Sequence, residues 1–211
     1  MTRIVAGSAK GRTLAVPKSG TRPTSERVRE ALFSRLDHMN VLHGATVLDL
    51  FTGTGALGLE ALSRGAARAT LVERASAAAR VATANVRATG LPAHIVTADA
   101  RTYLAARSSD ALEGEVDLVF IDPPYDIAEE DMTEVLSGLA PWIGPDSLVL
   151  VERSTRVPPP SWPTFLVLED ARTWGETVVY FAGPPLPEEH ERGDSDGCGG
   201  APASSGEEHD R

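Results

Sequence analysis

Residues 46–58 read Thr46-Val-Leu-Asp-Leu-Phe-Thr-Gly-Thr-Gly-Ala-Leu-Gly58, an apolar, β-branched run that breaks into a glycine-rich turn. Gly53, Gly55 and Gly58 satisfy the G-x-G-x-x-G spacing, and the Ala/Leu-rich stretch at 57–64 has helical periodicity. The reading is therefore strand, glycine turn, helix. Glycines at such a turn let a ligand approach the backbone at a helix N-terminus, where free amides favour an anion. Glu73 ends the next apolar run, 18 residues after Gly55, near the spacing at which a carboxylate accepts from ribose hydroxyls. Loop and carboxylate together point to a nucleoside-containing cofactor, the alternative being a glycine turn with no ligand.

Outward from this stretch the same rhythm repeats. Apolar, β-rich runs at 46–51, 69–73, 94–97, 116–121 and 147–152 are separated by Ala/Leu/Arg-rich stretches with helical spacing. Strand and helix in alternation predict βαβ units, a parallel sheet and a Rossmann-like α/β fold. Two later runs, 164–169 and 177–181, are joined through Trp174-Gly175 without a helix, so one sheet edge turns antiparallel. At the other end, runs at 3–6 and 12–16 flank Gly7 and Gly11 and predict a small hairpin. Thr24 or Ser25 can cap a helix through about Leu36, with Val28, Leu32 and Leu36 as its apolar stripe and Arg22, Arg27, Arg29 and Arg35 largely elsewhere.

The 211 residues are 42% hydrophobic and 24% charged, which suits a globular protein and excludes collagen, coiled coil and wholesale disorder. The single cysteine, Cys198, allows no disulfide framework or cysteine-based zinc site. With no apolar signal segment near the N-terminus and no run of about 18 apolar residues, the expectation is a cytoplasmic protein without membrane or metal. The net charge of −10 conceals a segregation. Residues 1–43 hold eight basic against three acidic side chains, residues 44–183 ten against nineteen, and residues 184–211 two against eight. Only the first block attracts phosphates, unless it is a solvated basic face.

Asp49 separates two cofactor classes. A carboxylate aimed into the loop repels a pyrophosphate such as that of NAD, but suits the zwitterionic methionine end and cationic sulfonium of S-adenosylmethionine. Alternatively it caps the loop by accepting from its amides. Asp99, closing the third run, either accepts from an adenine amine or caps the helix at 100–107. The most specific element is Asp122-Pro-Pro-Tyr125, after the fourth central strand. An exocyclic amine on a nucleobase is a poor nucleophile because its lone pair is delocalised into the ring. Acceptors on its N–H groups favour a pyramidal nitrogen. Asp122 and the Pro123 carbonyl are two such acceptors, adjacent prolines fix φ and add no amide donor, and Tyr125 offers a stacking face for an extruded base. An Asx-type turn beyond a strand is the bland alternative.

Four motifs then coincide: Arg3-Ile-Val-Ala-Gly7 with Gly11-Arg12, Arg22-Pro-Thr-Ser-Glu-Arg-Val-Arg-Glu-Ala-Leu-Phe33, the run from Asp49 to Gly65, and Asp122-Pro-Pro-Tyr125. Over residues 3 to about 182 the chain resembles the RsmD family of bacterial 16S ribosomal RNA guanine-N2 methyltransferases. The last motif alone is shared with DNA amino-methyltransferases. The Arg22-Pro-Thr segment joined to the glycine motif is what singles out this family. The resemblance implies a seven-stranded class I methyltransferase sheet and methyl transfer from S-adenosylmethionine to a guanine of 16S rRNA within an assembled small subunit, by a monomer. It implies cofactor contacts from Asp49, Phe51, Gly53, Thr54, Gly55, Glu73, Arg74, Asp99 and Ala100, and chemistry at Asp122, Pro123 and Tyr125. RNA contacts would come from Arg3, Lys10, Arg12, Arg22, Thr24 and Arg27. Thr52 departs from the pattern, where alanine is common, and so does the acidic tail.

The expected organisation is a basic extension (1–43), a catalytic domain (44–183) and a disordered acidic tail (184–211). A DNA adenine or cytosine amino-methyltransferase would usually need a larger recognition insert, an NAD-dependent oxidoreductase explains neither Asp49 nor Asp122-Pro-Pro-Tyr125, and a non-enzymatic RNA-binding module leaves that motif without a purpose. The tail cannot build a core, and every candidate residue precedes it. Truncation after Gly183 is expected to leave turnover near wild type; loss of soluble fold or of most activity would contradict that boundary.

Overall fold

The computed structural model describes residues 2–16, 26–106 and 116–185. The expectations attached to Arg22, Thr24, Ser25, Arg107, Cys198 and the tail beyond residue 185 lie outside the described residues. Two short strands, β1 (Thr2–Arg3) and β2 (Thr13–Leu14), form an antiparallel hairpin, and α1 spans Glu26–His38. The remaining elements are β3 (Thr46–Asp49), α2 (Ala56–Ser63), β4 (Arg68–Val72), α3 (Ser76–Thr89), β5 (Ala93–Val96), α4 (Ala100–Ala105), β6 (Val116–Ile121), α5 (Glu129–Ser137), β7 (Ile143–Ser154), β8 (Val167–Trp174) and β9 (Thr177–Gly183).

The strands from β3 onward make one seven-stranded sheet in the order β5-β4-β3-β6-β7-β9-β8. β5, β4, β3, β6 and β7 are parallel, while β9 runs antiparallel between β7 and β8. This is the sheet expected of a class I methyltransferase, with the antiparallel edge formed by the C-terminal hairpin. Successive residues point to opposite faces. Val47, Leu118, Phe120, Leu148 and Leu150 pack with α1 and α2, whereas Leu48, Val119, Ile121, Val149 and Val151 pack with α4 and α5. Strand order reverses between β3 and β6, and in open α/β sheets that is where a crevice forms beyond the strand ends. Among the described residues no helix is long and apolar enough to cross a membrane.

Three details differ from the sequence pattern. β8 begins at Val167 and continues through Asp170-Ala-Arg-Thr to Trp174, beyond the expected 164–169. It is a sheet edge with mostly exposed side chains, so no apolar alternation marks it. The N-terminal strands are only two residues each, although Gly11 N–H to Ile4 O, 2.9 Å, and Ile4 N–H to Arg12 O, 2.9 Å, continue their pairing. Arg29 sits with Val28, Leu32, Phe33 and Leu36 on the buried face of α1 and is 1% exposed.

Glu60 of α2 explains why an arginine can lie there. Its fully buried carboxylate accepts from Val5 N–H (2.7 Å), Ala6 N–H (3.0 Å) and Arg64 Nε (2.8 Å), and faces Arg29 Nε at 3.9 Å. Arg29 also donates to Arg3 O, 2.6 Å. Burial lowers the Arg29 pKa and the Glu60 charge opposes that shift. Ser63 adds a second joint, accepting from Ala9 N–H at 2.9 Å and donating to Ala6 O at 2.5 Å. The hairpin and α1 are thus fastened onto α2. Removing one member of a buried charged network leaves the other charge and the amides unsatisfied, a loss of about 3–5 kcal/mol. Glu60→Ala is expected to lower the urea midpoint accordingly; a loss below about 1 kcal/mol would contradict the role of this network.

Candidate functional site

β3 ends at Asp49, and its continuation is held in the sheet by Leu50 N–H to Phe120 O (3.0 Å) and Thr52 N–H to Val72 O (3.0 Å). The chain then turns through Gly53 (φ 54°) and Gly55 (φ 83°), the latter opening α2 without a side-chain cap. Gly58 is required by close approach: a Cβ there would lie 2.2 Å from Leu71 Cδ2. Its N–H instead reaches Asp49 Oδ2 at 3.2 Å, and Thr52 Oγ1 donates to the same oxygen at 2.8 Å. Thr52, the departure from the family pattern, therefore holds the loop to the acid beneath it.

Asp49 is 1% exposed, and its Oδ1 is buried without a hydrogen-bond partner. Burial foremost raises its pKa to about 7, against the Thr52 and Gly58 hydrogen bonds and reinforced by the charges of Asp122 and Glu73. Three carboxylates thus converge at the switch point.

The cleft above them has a volume of about 490 Å³, within the size range of small-molecule sites. Its walls combine Phe51, Gly53 and Thr54 of the loop, Glu73 and Arg74 beyond β4, Ala100 of α4, and Asp122, Pro123 and Tyr125 beyond β6. The fold thereby brings most of the cofactor set, and all three residues of the catalytic set, expected from the sequence to one opening. Asp49, Gly55 and Asp99 are not among its lining residues. Glu73 accepts from Gly53 N–H (3.0 Å) and Ala75 N–H (2.7 Å), so it also fixes the loop. Asp99 caps α4 through Arg101 N–H, 3.0 Å. Burial pushes its carboxyl up, but the Arg101 hydrogen bonds and charge outweigh it and hold the group below the usual range. Tyr125 is 65% exposed at the rim.

Of the RNA candidates, Arg3 pairs with Glu26 at 2.6 Å, and Arg12 reaches Ala88 O at 3.3 Å. Lys10 and Arg27 are exposed. Periodicity missed four contributors. Arg29 and Glu152 line the cleft, Glu60 anchors the extension, and Asn85 of α3 joins three segments. Asn85 Oδ1 accepts from Ala15 N–H (2.8 Å) while its Nδ2 donates to Ala15 O (3.1 Å) and to Thr54 O (2.9 Å). A polar residue on the buried face of an alanine-rich helix was the available signal.

The family model described as Conserved hypothetical protein 95 matches residues 2–183. The chain belongs to that family. The ribosomal RNA small subunit methyltransferase D of Escherichia coli strain K12 is 36% identical over 178 residues, covering 83% of this chain and 86% of the relative. The namesake from Haemophilus influenzae is 33% identical over 169 residues, covering 76% and 84%. The solved structure of Escherichia coli yhhF superposes with a TM-score of 0.75 at 33% identity, covering 88% of this chain and 99% of that one. The RsmD resemblance carried by the four motifs agrees with these matches.

The Asp49 shift has a thermodynamic consequence. The folded protein retains its proton up to about pH 7, while the ordinary value is 3.8, so stability falls as pH rises between those limits. Asp49→Asn removes that loss. The variant is expected to melt several degrees above the ligand-free wild type at pH 8, at roughly 2–4 °C per kcal/mol for a chain of this size, with the advantage vanishing toward pH 4. A difference independent of pH in thermal melts would contradict a buried, uncompensated carboxylate.

Proposed function

We propose that the protein transfers a methyl group from S-adenosylmethionine to the exocyclic N2 of a guanine in 16S rRNA of the small ribosomal subunit. The observation carrying this reading is the convergence, at one cleft, of the acid-lined glycine loop and Asp122-Pro-Pro-Tyr125. The ribosomal RNA methyltransferase names of the relatives support the substrate class.

The residues present fit the cofactor. The unpartnered Oδ1 of Asp49 and the loop amides suit the methionine end, the Glu73 carboxylate suits ribose hydroxyls, and Phe51, Thr54, Arg74 and Ala100 line the remaining wall. Gly53 and Gly55 give the loop its turn, and Asp99 stands at the start of α4 beside Ala100. Carboxylates around the cleft oppose a pyrophosphate and favour a sulfonium cation. When bound, S-adenosylmethionine supplies an electrophilic methyl group.

The chain's own part is to prepare the amine. Tyr125, exposed at the rim, provides a ring on which an extruded guanine stacks. The Asp122 carboxylate and the Pro123 carbonyl accept the two N–H groups, withdrawing the nitrogen lone pair from the ring and directing it across the cleft. Alkylation makes that nitrogen cationic and acidic, so Asp122 need only be a weak base to accept its proton. Most of the contribution falls in the transition state. In this account residues 1–43 grip RNA, residues 44–183 carry the chemistry, the tail is dispensable, and the monomer works on the assembled subunit in the cytoplasm.

Labelled methyl transfer to small subunits from a strain lacking the enzyme, compared with naked rRNA and DNA, tests the reading. N2-methylguanosine at a single rRNA position is expected; methylated DNA or no transfer would overturn it. Asp122→Ala is expected to lower kcat at least 100-fold with little change in S-adenosylmethionine affinity, in line with a group acting in proton transfer. Tyr125→Ala is expected to weaken base capture by roughly 1–3 kcal/mol, while Tyr125→Phe retains most activity. A Phe variant as impaired as the Ala variant would assign the role to the hydroxyl.

A further inference from the structure

The arginines of the described residues fall into two groups. Arg3, Arg29, Arg35, Arg64, Arg101, Arg153, Arg156 and Arg172 each pair with a carboxylate. Arg12, Arg27, Arg68, Arg74, Arg80 and Arg87 form no ion pair among the described residues, and all six are exposed. Three of them, Arg74, Arg80 and Arg87, follow a single element. Arg74 lies just before α3 at the cleft wall, and Arg80 and Arg87 lie on α3, seven residues and about 10 Å apart along its axis.

Ala77, Arg80, Ala84 and Arg87 are spaced three and four apart and all are exposed, so they share the outer face of α3. The helix Ser-Ala-Ala-Ala-Arg-Val-Ala-Thr-Ala-Asn-Val-Arg-Ala-Thr contains no acid. In a chain of net charge −10, an acid-free cationic face of small side chains is unexpected unless it meets an anion. The opposite end is also defined. Arg12 donates to Ala88 O, which places the basic N-terminal hairpin with Lys10 against the last turn of α3. A cationic track therefore runs from the hairpin along Arg87 and Arg80 to Arg74 at the mouth of an acidic cleft.

We infer that the outer face of α3 is an RNA-backbone docking surface, on which Arg80 and Arg87 hold phosphates beside the target nucleotide while its base enters the cleft. The division follows from charge: phosphates are attracted to the track and repelled by the carboxylates within. Small neighbours such as Ala77 and Ala84 leave the guanidinium groups accessible to a polyanion. A 14-residue helix extends about 21 Å, long enough to meet several successive phosphates. This inference rests on the proposed RNA substrate, and it extends the RNA contact beyond residues 1–43.

The test is a salt titration of binding to naked 16S rRNA and to small subunits, with wild type, the Arg80→Ala/Arg87→Ala double variant, and Arg156→Ala/Arg172→Ala as a control on paired surface arginines. Each phosphate contact contributes roughly 0.7–0.9 to the slope of log K against log salt, so the α3 variant is expected to flatten that slope by roughly 1.4–1.8 on both probes. S-adenosylmethionine affinity and melting temperature should match wild type, and the control pair should leave the slope unchanged. An unchanged slope in the α3 variant, or an equal change in the control, overturns the docking surface while leaving the methyltransferase reading intact. A loss confined to assembled subunits, with naked rRNA unaffected, assigns the face to a protein partner and also overturns it. Failure of wild type to bind either probe removes both proposals.

Discussion

The site depends on a carboxylate placed out of water at the centre of the sheet. Asp49 ends β3, the strand at which sheet order reverses, and its neighbours β4 and β6 deliver Glu73 and Asp122 close enough to add their charges to its own. Burying an ionised carboxylate with one oxygen unsatisfied is unfavourable by several kcal/mol. Two hydrogen bonds to the other oxygen recover part of this, and both come from the turn that the site needs: the Thr52 hydroxyl and the Gly58 amide. The strain on Asp49 and the shape of the glycine loop are consequently one arrangement. A cation arriving in the cleft relieves that strain, whereas a polyphosphate increases it.

The N-terminal extension is part of the same arrangement. Glu60 lies two residues beyond Gly58 on α2 and accepts the amides of Val5 and Ala6, while Asn85 binds both Ala15 and the Thr54 carbonyl inside the loop. Both side chains are buried, so each bond is made in a medium that strengthens it and penalises its loss. The basic hairpin is thus joined by hydrogen bonds to the loop that lines the cleft. Arg29, anchored to Glu60, also lines that cleft. An extension that grips RNA backbone would position the base through these contacts as much as through its own charge.

The sheet, the glycine turn and the Asp122-Pro-Pro-Tyr125 corner were legible because their signals are local: β-branched runs, glycine spacing, and adjacent prolines that fix φ. β8 was mislaid by several residues because an exposed edge strand carries no apolar alternation. Arg29 was read with the solvated cations because its partner, Glu60, is 31 positions away and no periodicity links them. Asn85 was missed for the same reason, its bonds spanning 31 and 70 positions. Asp99 had two readings, and the described geometry makes it a helix cap, a role compatible with facing a ligand through its other oxygen. Residue type marks the chemistry a position can perform, while pairing across the fold decides which positions are free to perform it.

The central claim is that an acidic, partly desolvated cleft selects a cationic methyl donor. Calorimetric titration of the wild-type protein with S-adenosylmethionine and with NADH, each at pH 7 in two buffers of different ionisation enthalpy, tests it most directly. The account predicts that S-adenosylmethionine binds with release of a fraction of a proton as Asp49 ionises beneath it, and that NADH gives no saturable heat. Tighter binding of NADH, or S-adenosylmethionine binding with proton uptake, would contradict it.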